Sequence, residues 1–301
     1  MEPGRTGVSS CREGAGIARA RRAAVFYLLS CVLLSGCGPA NQEGPGHRAQ
    51  NLALTPEQEL SLGKQAYQEV LRKAHVLRSG PEVDRVRDVS QRIVSAAEIE
   101  PLQREINLHI QEYRFDWEFN VLEDRHVNAF CLPGGKVAVF TGLLPVTRND
   151  DQLAAVLGHE IAHALAHHAS ERLARQQMFE TAVRAAGGLL GQMDPETQKQ
   201  LIGLLAAGTQ LGSLPFDRRQ ESEADHIGLF LMTFAGYDPE QALVLWEEMA
   251  QLSRRHGQPP KWLSDHPSDV DRIAQIKKWL PQARAAKKAW DEGQVAPAPT
   301  R

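Results

Sequence analysis

The chain has 301 residues, of which 42% are hydrophobic and 24% charged, and its net charge is −3. That much apolar material can fill one large core and excludes a disordered or low-complexity protein. The mild acidity argues against nucleic acid as a partner, since binding would require a basic face.

Arg19, Arg21 and Arg22 precede an apolar run from Ala23 to Leu34. The run is too short to cross a hydrocarbon layer of about 30 Å, so it reads as the core of a signal peptide. It ends in Leu34-Ser35-Gly36-Cys37, which resembles a bacterial lipobox, where cleavage before the cysteine leaves a lipidated residue; a plain secretory signal is the alternative. On this reading residues 1–36 are a lipoprotein signal peptide and Cys37 carries the lipid anchor to a membrane. Gly38 in place of Asp, by resemblance to Gram-negative sorting signals, implies an outer-membrane lipoprotein facing the periplasm. Residues 1–36 carry five Arg and two acids, so their removal takes the net charge from −3 to −6. Cys11 and Cys31 would leave with the signal, and Cys131 would have no disulfide partner; on a strand it reads as a small buried hydrophobe.

Residues 37–54, with Gly44, Pro45 and Gly46 among polar residues, are expected to be a flexible tether. Thr55 followed by Pro56 starts a helix whose apolar face is Leu60, Leu62, Tyr67 and Leu71. A second helix is expected over Glu82 to Ala97. Leu108 to Glu123 and His126 to Thr141 change to alternating β-branched and aromatic residues, with Pro133-Gly134-Gly135 turning a hairpin between Val127–Leu132 and Lys136–Thr141. That hairpin either offers a free edge to an extended peptide or is fully paired inside the sheet.

From Leu143 onward the pattern is helical. Asp150-Asp151-Gln152 begins a helix with Leu153, Leu157, Ile161 and Leu165 on one stripe and Ala155, Ala162 and Ala166 on the other flank, so the helix is expected to be buried. It carries His159-Glu160-Ile161-Ala162-His163. Residues four apart share a helix face, so both imidazoles can point at one Zn2+ while Glu160 reaches a water on the open side and acts as general base. Between Gly187 and Gly212 lie six glycines, a composition that suits either a lid over the cleft or a helical hairpin packed on the core. Arg218 to Gly236 reads as a helix with an apolar stripe of Ala224, Gly228, Leu231 and Ala235. At about 100° per residue Glu221 falls inside that arc and Glu223 outside it, so Glu221 is the expected third ligand. Asp225, one turn later, is placed to accept an N–H from a ligating histidine. His167 and His168 are expected at the C-terminal end of the first of these helices, where a cation suits its dipole. Ser268 to Leu280 reads as a further helix, with the domain ending near residue 285 and residues 286–301 as a disordered tail.

Four motifs in order resemble metallopeptidase family 48, which includes HtpX-type membrane proteases and CAAX prenyl proteases. They are Val127-Asn128-Ala129-Phe130-xx-Pro133-Gly134-Gly135, His159-Glu160-xx-His163, Arg218-xx-Glu221-xx-Ala224-Asp225 and Asp265-His266-Pro267-xxxx-Arg272-Ile273. The resemblance covers roughly residues 55 to 280 and departs from the family pattern at Cys131 and Asp217. It implies an α+β, mostly helical gluzincin domain over residues 55–285, with a small sheet before the metal helix and one zinc per chain held by His159, His163 and Glu221. His266 enters as a catalytic residue through this resemblance alone, either donating a hydrogen bond to the developing oxyanion, the simpler role, or occupying the open metal position at rest. The implied activity is endoproteolysis of polypeptide substrates, as quality control of misfolded or misassembled envelope proteins. An envelope chaperone or assembly factor that uses the zinc cleft to bind partners is the alternative. Oligomeric state is not readable from the sequence.

Overall fold

The computed structural model describes residues 42–43, 48–99, 102–103, 106, 113–178, 217–256, 262, 264, 266 and 270–293. In chain order the elements are strands β1 (Gln42–Glu43) and β2 (Ala49–Gln50), helix α1 (Pro56–Lys73), β3 (Val76–Leu77), α2 (Pro81–Ala97), β4 (Glu118–Leu122), β5 (Ala129–Leu132) and β6 (Lys136–Phe140). Helices α3 (Asp150–Leu165), α4 (Arg218–Phe234), α5 (Glu240–His256) and α6 (Val270–Asp291) follow. Cys37 and the glycine-rich 187–212 stretch lie outside the described residues.

Local chemistry explains where the helices begin. Thr55 closes a capping box with Gln58 ahead of Pro56, Asn149 accepts from the Gln152 N–H, and Asp217 forms a second capping box with Gln220. A cap of this kind contributes about 1 kcal/mol. Asp217, one of the two departures from the family pattern, is therefore the residue that starts α4.

The four-stranded sheet has the order β3-β4-β6-β5. β4 and β6 run parallel, with Val121 opposite Val139, while β5 pairs antiparallel to β6 through Ala129 and Val139. Among the described residues β5 therefore lies at the sheet edge, the arrangement of the free-edge alternative. From Gln152 to Leu165 every residue of α3 except Ala155 is buried, as its two apolar flanks predict. Gly158 and Gly228 let α3 and α4 meet backbone to backbone: a Cβ on Gly228 would lie 2.7 Å from His159 N, and one on Gly158 would lie 2.8 Å from Gly228 O. This close crossing carries α4 side chains one and two turns away to the histidines of α3.

Two boundaries differ from expectation. Residues 48–54, expected as tether, are bound to the core: Gln50 Nε2 donates to Ala166 O at 2.7 Å, and the Leu54 N–H donates to Ser170 Oγ at 3.0 Å. Helix α6 does not stop at Leu280 or at residue 285 but continues through Pro281 to Asp291. Leu280 and Ala283 are buried, and Ala286 and Trp290 pack on the same core, so apolar packing outweighs the proline's missing donor. Among the described residues no helix is long and apolar enough to cross a membrane.

Candidate metal centre

His159 and His163 sit one turn apart on α3 with their Nε2 atoms 3.1 Å from each other. From α4, Glu221 brings Oε2 to 3.4 Å from His159 Nε2 and Oε1 to 3.5 Å from His163 Nε2. His266 places Nδ1 3.2 Å from His159 Nε2 and 3.0 Å from Glu221 Oε1. These four side chains are all buried, with donor atoms within 4.8 Å of one another.

Those separations are what a metal demands. Ligands about 2.0–2.1 Å from a tetrahedral ion stand about 3.3–3.4 Å apart, because the edge of a tetrahedron is about 1.6 times its centre-to-vertex distance. Two imidazole nitrogens and a buried carboxylate converging at such spacing are a donor set that fits an ion. Glu221 Oε2 also lies 2.8 Å from Arg272 Nη1, a cation that favours the ionised carboxylate a metal ligand must be.

The electrostatics are set by the groups around the ligands. Burial alone would lower the His159 pKa, but the carboxylates of Asp225 and Glu221 outweigh it and lift the value to about 9. His163, equally buried but ringed by His159, His168, His266 and Arg272, is pushed well below the ordinary imidazole value. Burial would raise Glu221, yet hydrogen bonds from His159 and His266 hold it far below the usual carboxylate range. For Asp225, Arg272 similarly outweighs burial and lowers the pKa. In metal-free protein, then, one proton resides on the His159 side of the cluster.

Each residue singled out in the sequence has a definite place. His159 Nδ1 donates to Asp225 Oδ1 at 3.0 Å, the contact that the α4 helical phase predicts. Glu160, on α3 beside His159, has Oε1 3.4 Å from His266 Nε2. Glu223 points out of the cluster and toward His168. His167 and His168 lie past the end of α3 at Leu165 and not in its last turn, and His168 is buried and tied to His163 Nδ1 at 2.8 Å rather than standing as a cation on the helix dipole. Burial lowers its pKa, against the opposing pull of Glu223.

Sequence reasoning missed two residues that touch the cluster. Arg272, quoted within a motif but given no role, grips Asp225 through Nε and Nη2, each at 2.7 Å, and stacks over Trp246 at 3.9 Å. Its spacing from His266 was the available signal. Trp262 is fully buried and donates Nε1–H to Glu160 Oε1 at 2.6 Å. The Trp262 N–H also donates to Val127 O at 3.2 Å, and the His266 N–H donates to Trp262 O at 2.8 Å, so residues 262 and 266 lie together against the cluster. A cavity of about 10 Å³, room for about one water, lies beside His159 among Ala155, Asp225, Trp246 and Ile276. A groove of about 810 Å³ among Arg85, Arg92, Tyr237 and Trp290 contains none of these residues.

Comparison with known proteins agrees with this geometry. Residues 90–280, well over half the chain, match peptidase family M48. Mitochondrial metalloendopeptidase OMA1 of Schizosaccharomyces pombe is 42% identical over 176 residues, covering 58% of this chain and 50% of the relative. The Saccharomyces cerevisiae protein of the same name is 33% identical over 238 residues, covering 74% and 61%. The beta-barrel assembly-enhancing protease of Escherichia coli is 30% identical over 179 residues, covering 58% and 37%. The chain thus spans between about a third and three fifths of the length of these relatives.

One expectation is overturned by these relatives. The outer-membrane, periplasm-facing location read from residues 34–38 conflicts with mitochondrial proteins at 42% and 33% identity, against 30% for the bacterial one. A basic segment followed by a short apolar run is a composition that secretory and organellar leaders share, and a lipobox of four residues carries far less information than an alignment of 176. With the motif order, the buried histidine and glutamate cluster, and the match across its helical zincin-like α+β domain, this chain belongs to the M48 family of metallopeptidases.

Proposed function

We propose that this chain is a zinc-dependent endopeptidase that cleaves extended stretches of misfolded or misassembled polypeptide. The observation that carries the reading is the spacing of the His159, His163 and Glu221 donor atoms at 3.1, 3.4 and 3.5 Å, the edges of a coordination tetrahedron. Zinc bound there would supply an acidified water and polarise the scissile carbonyl. Glu160, next to His159 on α3, would act as the base for that water and hand the proton on to the leaving amine. Asp225 fixes His159 with its proton on Nδ1 and leaves Nε2 as the donor atom. The β5 edge supports an extended substrate, because main-chain pairing along it reads no side chains and suits unfolded chains.

His266 is assigned the second of the two roles the sequence left open. Its Nδ1 lies at 3.2 and 3.0 Å from ligand atoms, in the fourth position of the cluster and not at a distance from which it would only donate to an oxyanion. With Trp262 also holding Glu160, this is a closed form, and substrate enters when Trp262 and His266 move away. A partner-binding role without proteolysis remains the second reading, since a closed cleft serves a binding protein equally well.

A zinc-supplemented casein cleavage assay separates the two. Glu160→Gln is expected to keep its zinc and lose at least about 100-fold in turnover, while His266→Ala raises basal cleavage. Equal, background-level cleavage by wild type and Glu160→Gln would favour the binding protein, and lower cleavage by zinc-loaded His266→Ala would return His266 to the donor role.

A further inference from the structure

A polar chain runs from the far side of His163 away from the cluster, and the peptidase reading gives it no task. His163 Nδ1 lies 2.8 Å from His168 Nδ1, and His168 Nε2 lies 3.0 Å from Glu223 Oε2. Arg48 Nε donates to that same Glu223 oxygen at 2.8 Å, and its two Nη atoms fork onto Glu171 at 2.5 and 2.7 Å. Gln220 Nε2 braces the chain by donating to Glu171 Oε2 at 2.8 Å and to His168 O at 3.2 Å. Apart from Arg48, which is half-buried, the chain is inaccessible: the His168 side chain is 0% and the Glu223 side chain 7% exposed.

Proton placement along this chain is not arbitrary. Two ring nitrogens 2.8 Å apart bond only when one carries a hydrogen and the other a lone pair. His163 turns Nε2 to the cluster, so its hydrogen must be on Nδ1. His168 must then accept at Nδ1, carry its own hydrogen on Nε2, and donate it to Glu223. Each ring has one tautomer that satisfies both of its neighbours. Arg48 supplies the positive charge opposite Glu223 and Glu171, and it comes from the segment just before α1, far from α3 and α4 in sequence.

We infer that His168 and Glu223, held in place by Arg48, are positioning residues for the metal, fixing His163 as the Nε2-donating tautomer and strengthening that donor. The inference rests on the proposed zinc site. Groups that hold a ligating imidazole in this way typically change metal affinity by about 10- to 100-fold.

The test is zinc affinity of the full chain, measured by competition with a chromogenic chelator. Glu223→Gln and His168→Asn should each still bind one zinc at saturation, with a Kd raised about 10- to 100-fold. The double variant should bind no more weakly than His168→Asn alone, because Glu223 acts through His168; a merely structural role would lower the melting temperature and leave the Kd unmoved. If His168→Asn does not fold, Glu223→Gln, which keeps its size, carries the test. A Kd for Glu223→Gln within about threefold of wild type, or additive losses in the double variant, overturns the relay. If His163→Ala binds zinc as tightly as wild type, the metal site itself is misassigned and the relay falls with it.

Discussion

The two metal-facing histidines are backed by unlike chains. His159 hands its Nδ1–H straight to a carboxylate, Asp225, which Arg272 from α6 grips with two N–H groups at 2.7 Å. His163 reaches its carboxylate only through a second imidazole, and the cation at the end, Arg48, comes from the N-terminal segment. The Arg272 side chain is 6% exposed and the Arg48 side chain 27%. One histidine is therefore fixed by the packing of helices and the other by a strap that water reaches, and the two ends should respond unequally when cut.

Arg272→Met should give the larger loss. It leaves Glu221 and Asp225 buried with no guanidinium between them, a change that costs about 3–5 kcal/mol. Arg48→Met should cost less than half as much, because solvent screens Glu171 once the strap loosens. Urea unfolding of both variants measures the difference, and equal losses would erase the distinction between the flanks. Gly228→Ala should fall between or below these at about 1–3 kcal/mol. Its Cβ would lie 2.7 Å from His159 N and pry α3 from α4, so an unchanged midpoint would mean that the helices are not in backbone contact.

The smallest effect is a proton. In metal-free protein the His159 pKa is lifted from 6.5 to about 9 by Asp225 and Glu221 acting against burial. The folded value lies above the unfolded one, so this stabilisation is fully present below about pH 6.5 and is lost as pH rises through about 9. Zinc requires the neutral ring, so uptake near pH 7.5 should release about one proton from His159, and affinity should tighten with rising pH up to about 9. Calorimetric titration in two buffers of different ionisation enthalpy reads that proton, and identical heats in both would contradict it.

What the sequence made legible divides along the same line. The His159 flank was readable because it is local: two imidazoles and a carboxylate on one helix, then Glu221 and Asp225 one turn apart on another, all follow from 100° per residue. His168 was not readable in that way. Five residues beyond His163 it would face away on a continuous helix, but α3 ends at Leu165 and His167 takes φ +54°, which turns the chain so that His168 folds back under His163. Arg48 and Trp262 act across 175 and 102 residues, and no periodicity reports a contact at that separation. The helix through Pro281 was hidden for a related reason, since its support comes from the core and not from its own residues.

The central claim is the choice of Glu221, and not its neighbour Glu223, as the carboxylate that completes the metal centre with His159 and His163. Metal analysis of purified wild type, Glu221→Gln and Glu223→Gln at saturating zinc tests it most directly. The account predicts one zinc per chain in the wild type and in Glu223→Gln and none retained by Glu221→Gln; zinc kept by Glu221→Gln and lost from Glu223→Gln would contradict it.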